Sequence, residues 1–151
     1  MSTPTGVFPV WQNQFKVDVT GGDGSTEANQ KTIADATSFS VAIDGKVQEW
    51  DALSEQGWTR RLVTGKSITI TINGKRNIGD AGNDYVASLA LKTGSDASTT
   101  LTWTFPSGAT LVMPCVVNVT EWEGGEAVDV APLSAEFMSN GKPTFTPAAA
   151  A

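Results

Sequence analysis

The residues best equipped for directed interactions gather in one short stretch. Trp58, Arg60 and Arg61 stand in GWTRRL, Trp50 lies upstream, and Glu49, Asp51 and Glu55 sit between them. Tryptophan and arginine anchor protein interfaces more often than most residues, because a large ring and a planar cation each concentrate burial and directional contacts. The alternative is a surface hairpin whose rings fold back onto its own core, as large aromatic residues are mostly buried. Catalytic constellations are poorer. The chain has no histidine, the commonest general base and metal ligand, and one cysteine, so zinc and iron–sulfur sites are excluded. Cys115 sits in the apolar run LVMPCVV and is expected to be a buried, inert thiol. Thr64-Gly65-Lys66-Ser67 imitates the end of a phosphate loop, but Arg60 replaces its first glycine and a strand follows where a helix must start. Asp18, Asp23 and Glu27 flank a glycine-rich stretch without the alternating acids of a calcium loop. Glu121, Glu123 and Glu126 cluster beside Gly124-Gly125 and fit the solvated rim of a turn better than a glycosidase pair. No metal or cofactor is expected, and an enzyme is the weakest class.

A net charge of -6 and a pI near 4.5 argue against tight binding to nucleic-acid phosphates, which needs clustered cations. The first residues, MSTPTGVFPVWQNQF, lack a basic start followed by a long apolar run, so neither a signal peptide nor a lipid anchor is expected. No stretch approaches the roughly 18 apolar residues of a membrane-spanning helix.

The elements that must position these groups are strands. In 66–76, KSITITINGKR, Ile68, Ile70 and Ile72 alternate with Ser67, Thr69 and Thr71, giving one apolar and one hydroxylic face. Leu101, Trp103 and Phe105 alternate with Thr100, Thr102 and Thr104, and Phe39, Val41 and Ile43 with Ser38, Ser40 and Ala42. Turns are expected at Asp44-Gly45, Thr64-Gly65 and Asn73-Gly74, with 46–50 pairing back as a short strand and the polar DALSEQG as a loop. Strands are also expected over 109–120 and 128–138, the former central because both its faces are apolar, with Pro114 marking a bulge or edge. One helix is expected over 85–92, with Tyr85, Val86, Leu89 and Ala90 as its apolar stripe, capped by Asn83 or Asp84 and ended by Gly94. The result is one mainly β domain at 35–142, an antiparallel β-sandwich or barrel with a flanking α-helix, between an N-terminal arm and loop at 1–34 and a tail at 143–151. Phe8, Trp11, Phe15, Val17 and Val19 on the arm must pack against their own domain or a neighbouring copy.

The runs TIADATSFSVAIDG, EW, GWTRRLVTGKSITITINGKRN, GNDYVASLALKTG, WTFPSG, CVVNVT and MSNGKPTFTP resemble the major tail (tail tube) protein of long-tailed bacteriophages infecting Gram-positive hosts. The resemblance covers 32–147 and not the first 31 residues. It implies a tail tube-like sandwich or barrel with a flanking helix, copies arranged in six-fold rings, and rings stacked into a hollow tube within the virion. It implies as partners other copies of the chain, a tape-measure protein in the lumen, tail terminator and distal tail proteins, and double-stranded DNA in transit. Folding and assembly would occur in the host cytoplasm, and no catalytic residue carries over.

On this view Trp50, Trp58, Arg60, Arg61, Phe8 and Trp11 are candidate contacts between subunits or rings. Ser67, Thr69, Thr71, Thr100, Thr102 and Thr104 are candidates for a wettable channel wall. An acidic chain suits a conduit that must not hold DNA, because like charge repels phosphate over about 8 Å at physiological salt. The competing reading is a monomeric immunoglobulin-like binding or adhesion module on a virion surface, with an exposed aromatic loop and no self-association.

Overall fold

A computed structural model describes residues 5–22 and 26–148. Asp23, from the glycine-rich stretch, and the last three residues of the expected tail lie outside the described residues. Among the described residues there are eight strands: β1 (Gln14–Asp18), β2 (Gln30–Thr32), β3 (Ala36–Asp51), β4 (Thr59–Lys75), β5 (Ser98–Thr104), β6 (Thr110–Trp122), β7 (Pro132–Ser139) and β8 (Thr144–Thr146). They form one antiparallel sheet in the order β2-β1-β5-β6-β7-β4-β3, with β8 beside the first residues of β6. The sheet curls until its ends meet. β1, second in the strand order, and β3, last in it, nonetheless bring Phe15 and Phe39 together with rings 4.7 Å apart, and Trp103 of β5 lies 5.6 Å from each. The expected mainly β sandwich or barrel with one helix is therefore built from two halves of a single sheet.

Alternation decides what the concave face holds. Ile70 and Ile72 of β4, Leu101 of β5, Met113 and Val117 of β6 and Phe137 of β7 are buried in one cluster, with Ile68 and Trp103 packed against it. Each such side chain contributes on the order of 1.5–3 kcal/mol by leaving water. Cys115 is also in this cluster, and burial pushes its thiol pKa up to about 12. Strand β6 is central, as its two apolar faces suggest, pairing with β5 on one side and with β8 and then β7 on the other. Pro114 falls where that second partner changes, and Asn140 donates to its carbonyl at 2.8 Å.

The helix, α1 (Ala81–Ser88), starts four residues earlier than its apolar stripe suggests, because Asp80 is the cap. The Asp80 carboxylate accepts from the Asn83 N–H at 3.0 Å. Asn83 is itself buried, donating its side-chain amide to the carbonyls of Ala34 (3.1 Å) and Lys75 (2.9 Å) while Arg76 donates to it. This ties the helix to the β2–β3 connection and the end of β4. A Cβ on Gly82 would lie 2.4 Å from the Thr32 carbonyl, so only glycine lets the helix approach β2 so closely. Two 3-10 turns follow, Leu89–Leu91 and Gly94–Ala97, so Gly94 opens the second of them.

Four local expectations are corrected. Asp44-Gly45, Thr64-Gly65 and Asn73-Gly74 are not turns, and 46–50 is not a separate strand: β3 and β4 run through all three dipeptides as one long hairpin closed by the loop at 52–58. Gly45 and Gly65 adjoin a bulge, where the register shifts between Lys46 and Val47 and Thr64 is left over. Glycine inside a strand commonly marks such an irregularity, so these pairs bend the ladder without reversing it. Strand β7 begins at Pro132, leaving Val128 and Val130 exposed in the loop at 123–131. Finally, part of the expected N-terminal arm is sheet: β1 and β2 pair, and Phe15 and Val17 are core residues.

Candidate functional site

The pairing of β4 defines the site. β7 covers β4 only along Thr69–Lys75, so β4 from Thr59 to Ile68 has β3 alone as its partner. Ten residues at about 3.3 Å each make a two-stranded ribbon that overhangs the sheet by roughly 30 Å. Apolar side chains line it on both faces. Ile43 is 63% exposed, Val47, Leu62 and Val63 are similarly open, Trp58 is 78% exposed, and Leu53 at the loop is fully exposed. The tryptophans thus do not fold back onto the core.

Pairing also sorts the polar groups. Trp50 opposes Arg60, whose guanidinium carbon lies 5.7 Å from the indole centre, and Glu49 opposes Arg61 in an exposed ion pair at 2.8 Å. Arg61 therefore already has a carboxylate in its own hairpin, while among the described residues Arg60 has no ion-pair partner. Asp51 accepts from the Thr59 hydroxyl at 2.8 Å, closing the base of the loop. Phe8 and Trp11 are not brought to this ribbon. Phe8 is half-buried, and Trp11, largely exposed, borders a cleft of about 220 Å³ with the first residues of β3, at the opposite end of that strand from the loop.

The hydroxylic residues share the convex face, though unequally. Across β3, β4 and β7 the rows Ala42–Thr69–Met138 and Ser40–Thr71–Glu136 run in register, with Ser67 beside Asp44 at the end nearer the loop. This part is open to solvent and carries the carboxylates of Asp44 and Glu136. On β5, Thr100 is buried and donates to the Gly22 carbonyl at 2.9 Å, while Thr102 donates to the Gln30 side chain at 2.5 Å. Thr104, next to Gln14 of β1, is half-buried. The β5 threonines therefore hold the N-terminal segment against the sheet.

Sequence reasoning missed Ile43, Val47, Leu53, Leu62 and Val63 as an exposed apolar set, and it missed Glu136 on the hydroxylic face. The available signal was that two long runs of strand-forming residues flank DALSEQG almost symmetrically. Taking Asp44-Gly45 and Thr64-Gly65 as turns concealed it. Among the described residues no cluster of His, Cys, Asp or Glu could hold a metal ion, and no helix is long and apolar enough to cross a membrane.

No protein-family model matches the chain, and no curated protein matches its sequence. Solved structures do match. A chain from the tail of an empty gene transfer agent (GTA) particle, of C6 symmetry, superposes with a TM-score of 0.72 at 17% identity, over 93% of this chain and 100% of that one. A chain from the virion of a native GTA particle does so with a TM-score of 0.70 at 15% identity, over the same shares of each chain. At these identities the likeness establishes the fold: this chain has the antiparallel sheet with one short helix found in those particles.

Proposed function

We propose that this chain is a structural tail protein that self-assembles into six-fold rings stacked as a hollow tube, the conduit for DNA ejection from a phage-like virion. The observation that carries the reading is the overhanging β3–β4 ribbon, with open strand edges and exposed apolar side chains on both faces. A lone two-stranded ribbon is marginal in water, an open edge templates pairing with another chain, and a large apolar patch marks an interaction surface. Other copies of the chain satisfy all three. The fold shared with chains of a GTA tail of C6 symmetry supports the six-fold arrangement.

In this reading Ser67, Thr69 and Thr71, with Ser40, form the wall facing the lumen, and Asp44 and Glu136 add negative charge that repels phosphate within about a Debye length. The threonines of β5 lie away from the wall. Trp11 and Phe8 belong to a second contact, at the other end of β3. The reading extends to the long-tailed phages of Gram-positive hosts, with a tape-measure protein in the lumen, terminator and distal tail proteins at the tube's ends, and assembly in the host cytoplasm. No catalytic step is involved.

Negative-stain microscopy and sedimentation of the purified protein test this directly. Striated tubes or ring-sized species are expected. Arg60→Glu should reduce them while leaving the chain folded, since removing one partner of a desolvated interface pair costs roughly 2–5 kcal/mol. A protein that stays monomeric both alone and in particles would instead be the immunoglobulin-like module, and the tube reading would fall.

A further inference from the structure

The loop of the ribbon and the loop at 123–131 lie at opposite ends of the same strands. β4 runs from Thr59, beside the first loop, to Lys75, which pairs with Pro132 beside the second. At this second end is an open cleft of about 630 Å³, bordered by Lys75, Glu121, Trp122, Val128, Asp129 and Val130. Trp122 is half-exposed, and Val128 and Val130 are largely exposed. The two ends also differ in charge. Residues 121–131 carry four carboxylates and no cation, whereas 45–66 carries four cations and three carboxylates in a chain of net charge -6.

Resting on the tube reading, we propose that the ribbon loop of one copy docks in the 121–132 cleft of a second copy, joining the two head to tail. Leu53, fully exposed, and Trp58 supply apolar groups for Trp122, Val128 and Val130. Arg60, without an ion-pair partner among the described residues, meets Glu121 and Glu123. Lys75 at the cleft rim meets Glu55 of the incoming loop. A contact between two different patches at opposite ends of a molecule leaves each new copy with a free loop and a free cleft, so it propagates without closing on itself. That is the geometry needed along a tube axis. An isologous contact, loop to loop, would stop at two copies and would bring like groups together.

Cysteine cross-linking of the full chain provides the test, because Cys115 is buried in the core and the exposed surface offers no competing thiol among the described residues. Leu53→Cys and Val128→Cys both fall at exposed positions. Assembled protein carrying both substitutions should, on mild oxidation, give a ladder of covalent multimers. A mixture of the two single variants should give dimers, and each single variant alone should remain monomeric in denaturing gels. Tubes that form normally but yield no ladder would overturn the docking while leaving the tube reading intact. Cross-linking of Leu53→Cys to itself would overturn it in favour of loop-to-loop contact. Failure of the unsubstituted chain to assemble at all would remove the tube reading and the docking together.

Discussion

The two halves of the β3–β4 hairpin share a ladder, a pairing partner and a similar supply of apolar residues, yet they have opposite fates. In the half nearer Lys75, Ile70 and Ile72 are buried; in the half nearer the loop, Ile43, Val47, Leu62 and Val63 face solvent. What changes between them is the third strand. β7 ends at Ser139, whose hydroxyl accepts from the Ile68 N–H at 3.0 Å, and beyond that point β3 is the only strand among the described residues that pairs with β4. Apolar content therefore does not fix burial; the length of the neighbouring strand does. One half of the hairpin stabilises the subunit, and the other holds its apolar groups in solvent, the surface on which the proposed association rests.

The sharpest way to break this comparison is to truncate an apolar side chain in each half. Ile70→Ala removes a fully buried side chain between Val41 and Phe137 and should cost about 2–5 kcal/mol in urea unfolding. Leu62→Ala, in the overhang, should leave the stability of the unassembled subunit within about 0.5 kcal/mol while weakening assembly. Equal losses of subunit stability from the two would mean that the ribbon is part of the folded core after all.

A smaller effect separates two glycines on β4. A Cβ at Gly74 would come within 2.4 Å of the Asp35 carbonyl oxygen, which the Lys75 N–H also holds at 2.9 Å. Gly74→Ala must push backbone aside and should lower stability by about 1–3 kcal/mol. At Gly65 the nearest atoms are those of the Lys46 side chain, at 3.5 Å, which can move. Gly65→Ala should leave the thermal midpoint almost unchanged.

Those glycines also show how much was legible beforehand. Period-two alternation identified the core faces of β4 and β5 correctly, because a side chain's face is a local property of an extended chain. Whether Asn-Gly or Asp-Gly turns is not local. Asn73-Gly74 has the composition of a hairpin turn, but β3 and β7 pair with it on both sides and hold it extended. The helix stripe gave Val86 and Leu89, whereas the cap at Asp80 and the buried role of Asn83 depend on the Ala34 and Lys75 carbonyls, brought there only by the folded sheet. The interface candidates divided similarly. Trp50, Trp58, Arg60 and Arg61 were visible as residue types in one stretch, while the exposure of Leu62 and Val63 follows from where β7 stops.

The smallest contrast lies in two ion pairs, one at each end of the hairpin. Glu49 and Arg61 in the ribbon are both exposed, and such pairs contribute about 0–1 kcal/mol, so Glu49→Gln should change subunit stability little. Asp84 and Arg76, 2.7 Å apart beyond the end of β4, differ because the Arg76 side chain is mostly covered. The hydrogen bond from Arg76, with another from the Gly79 N–H, holds the Asp84 carboxyl below its ordinary value of 3.8. A carboxyl with a depressed folded-state pKa binds its proton more readily in the unfolded chain. Its contribution is thus fully present well above pH 3.8 and is lost as the pH falls through the folded-state value. Asp84→Asn should accordingly lower stability at neutral pH and flatten the acid limb of the pH–stability profile below about pH 4, where the parent chain weakens and the variant has nothing left to lose. Guanidinium melts of the parent, Asp84→Asn and Glu49→Gln at pH 7, 4 and 3 would check the sign. If Glu49→Gln reproduced the Asp84→Asn profile, the two ends of the hairpin would be electrostatically alike, and the division between folding and association would rest on apolar burial alone.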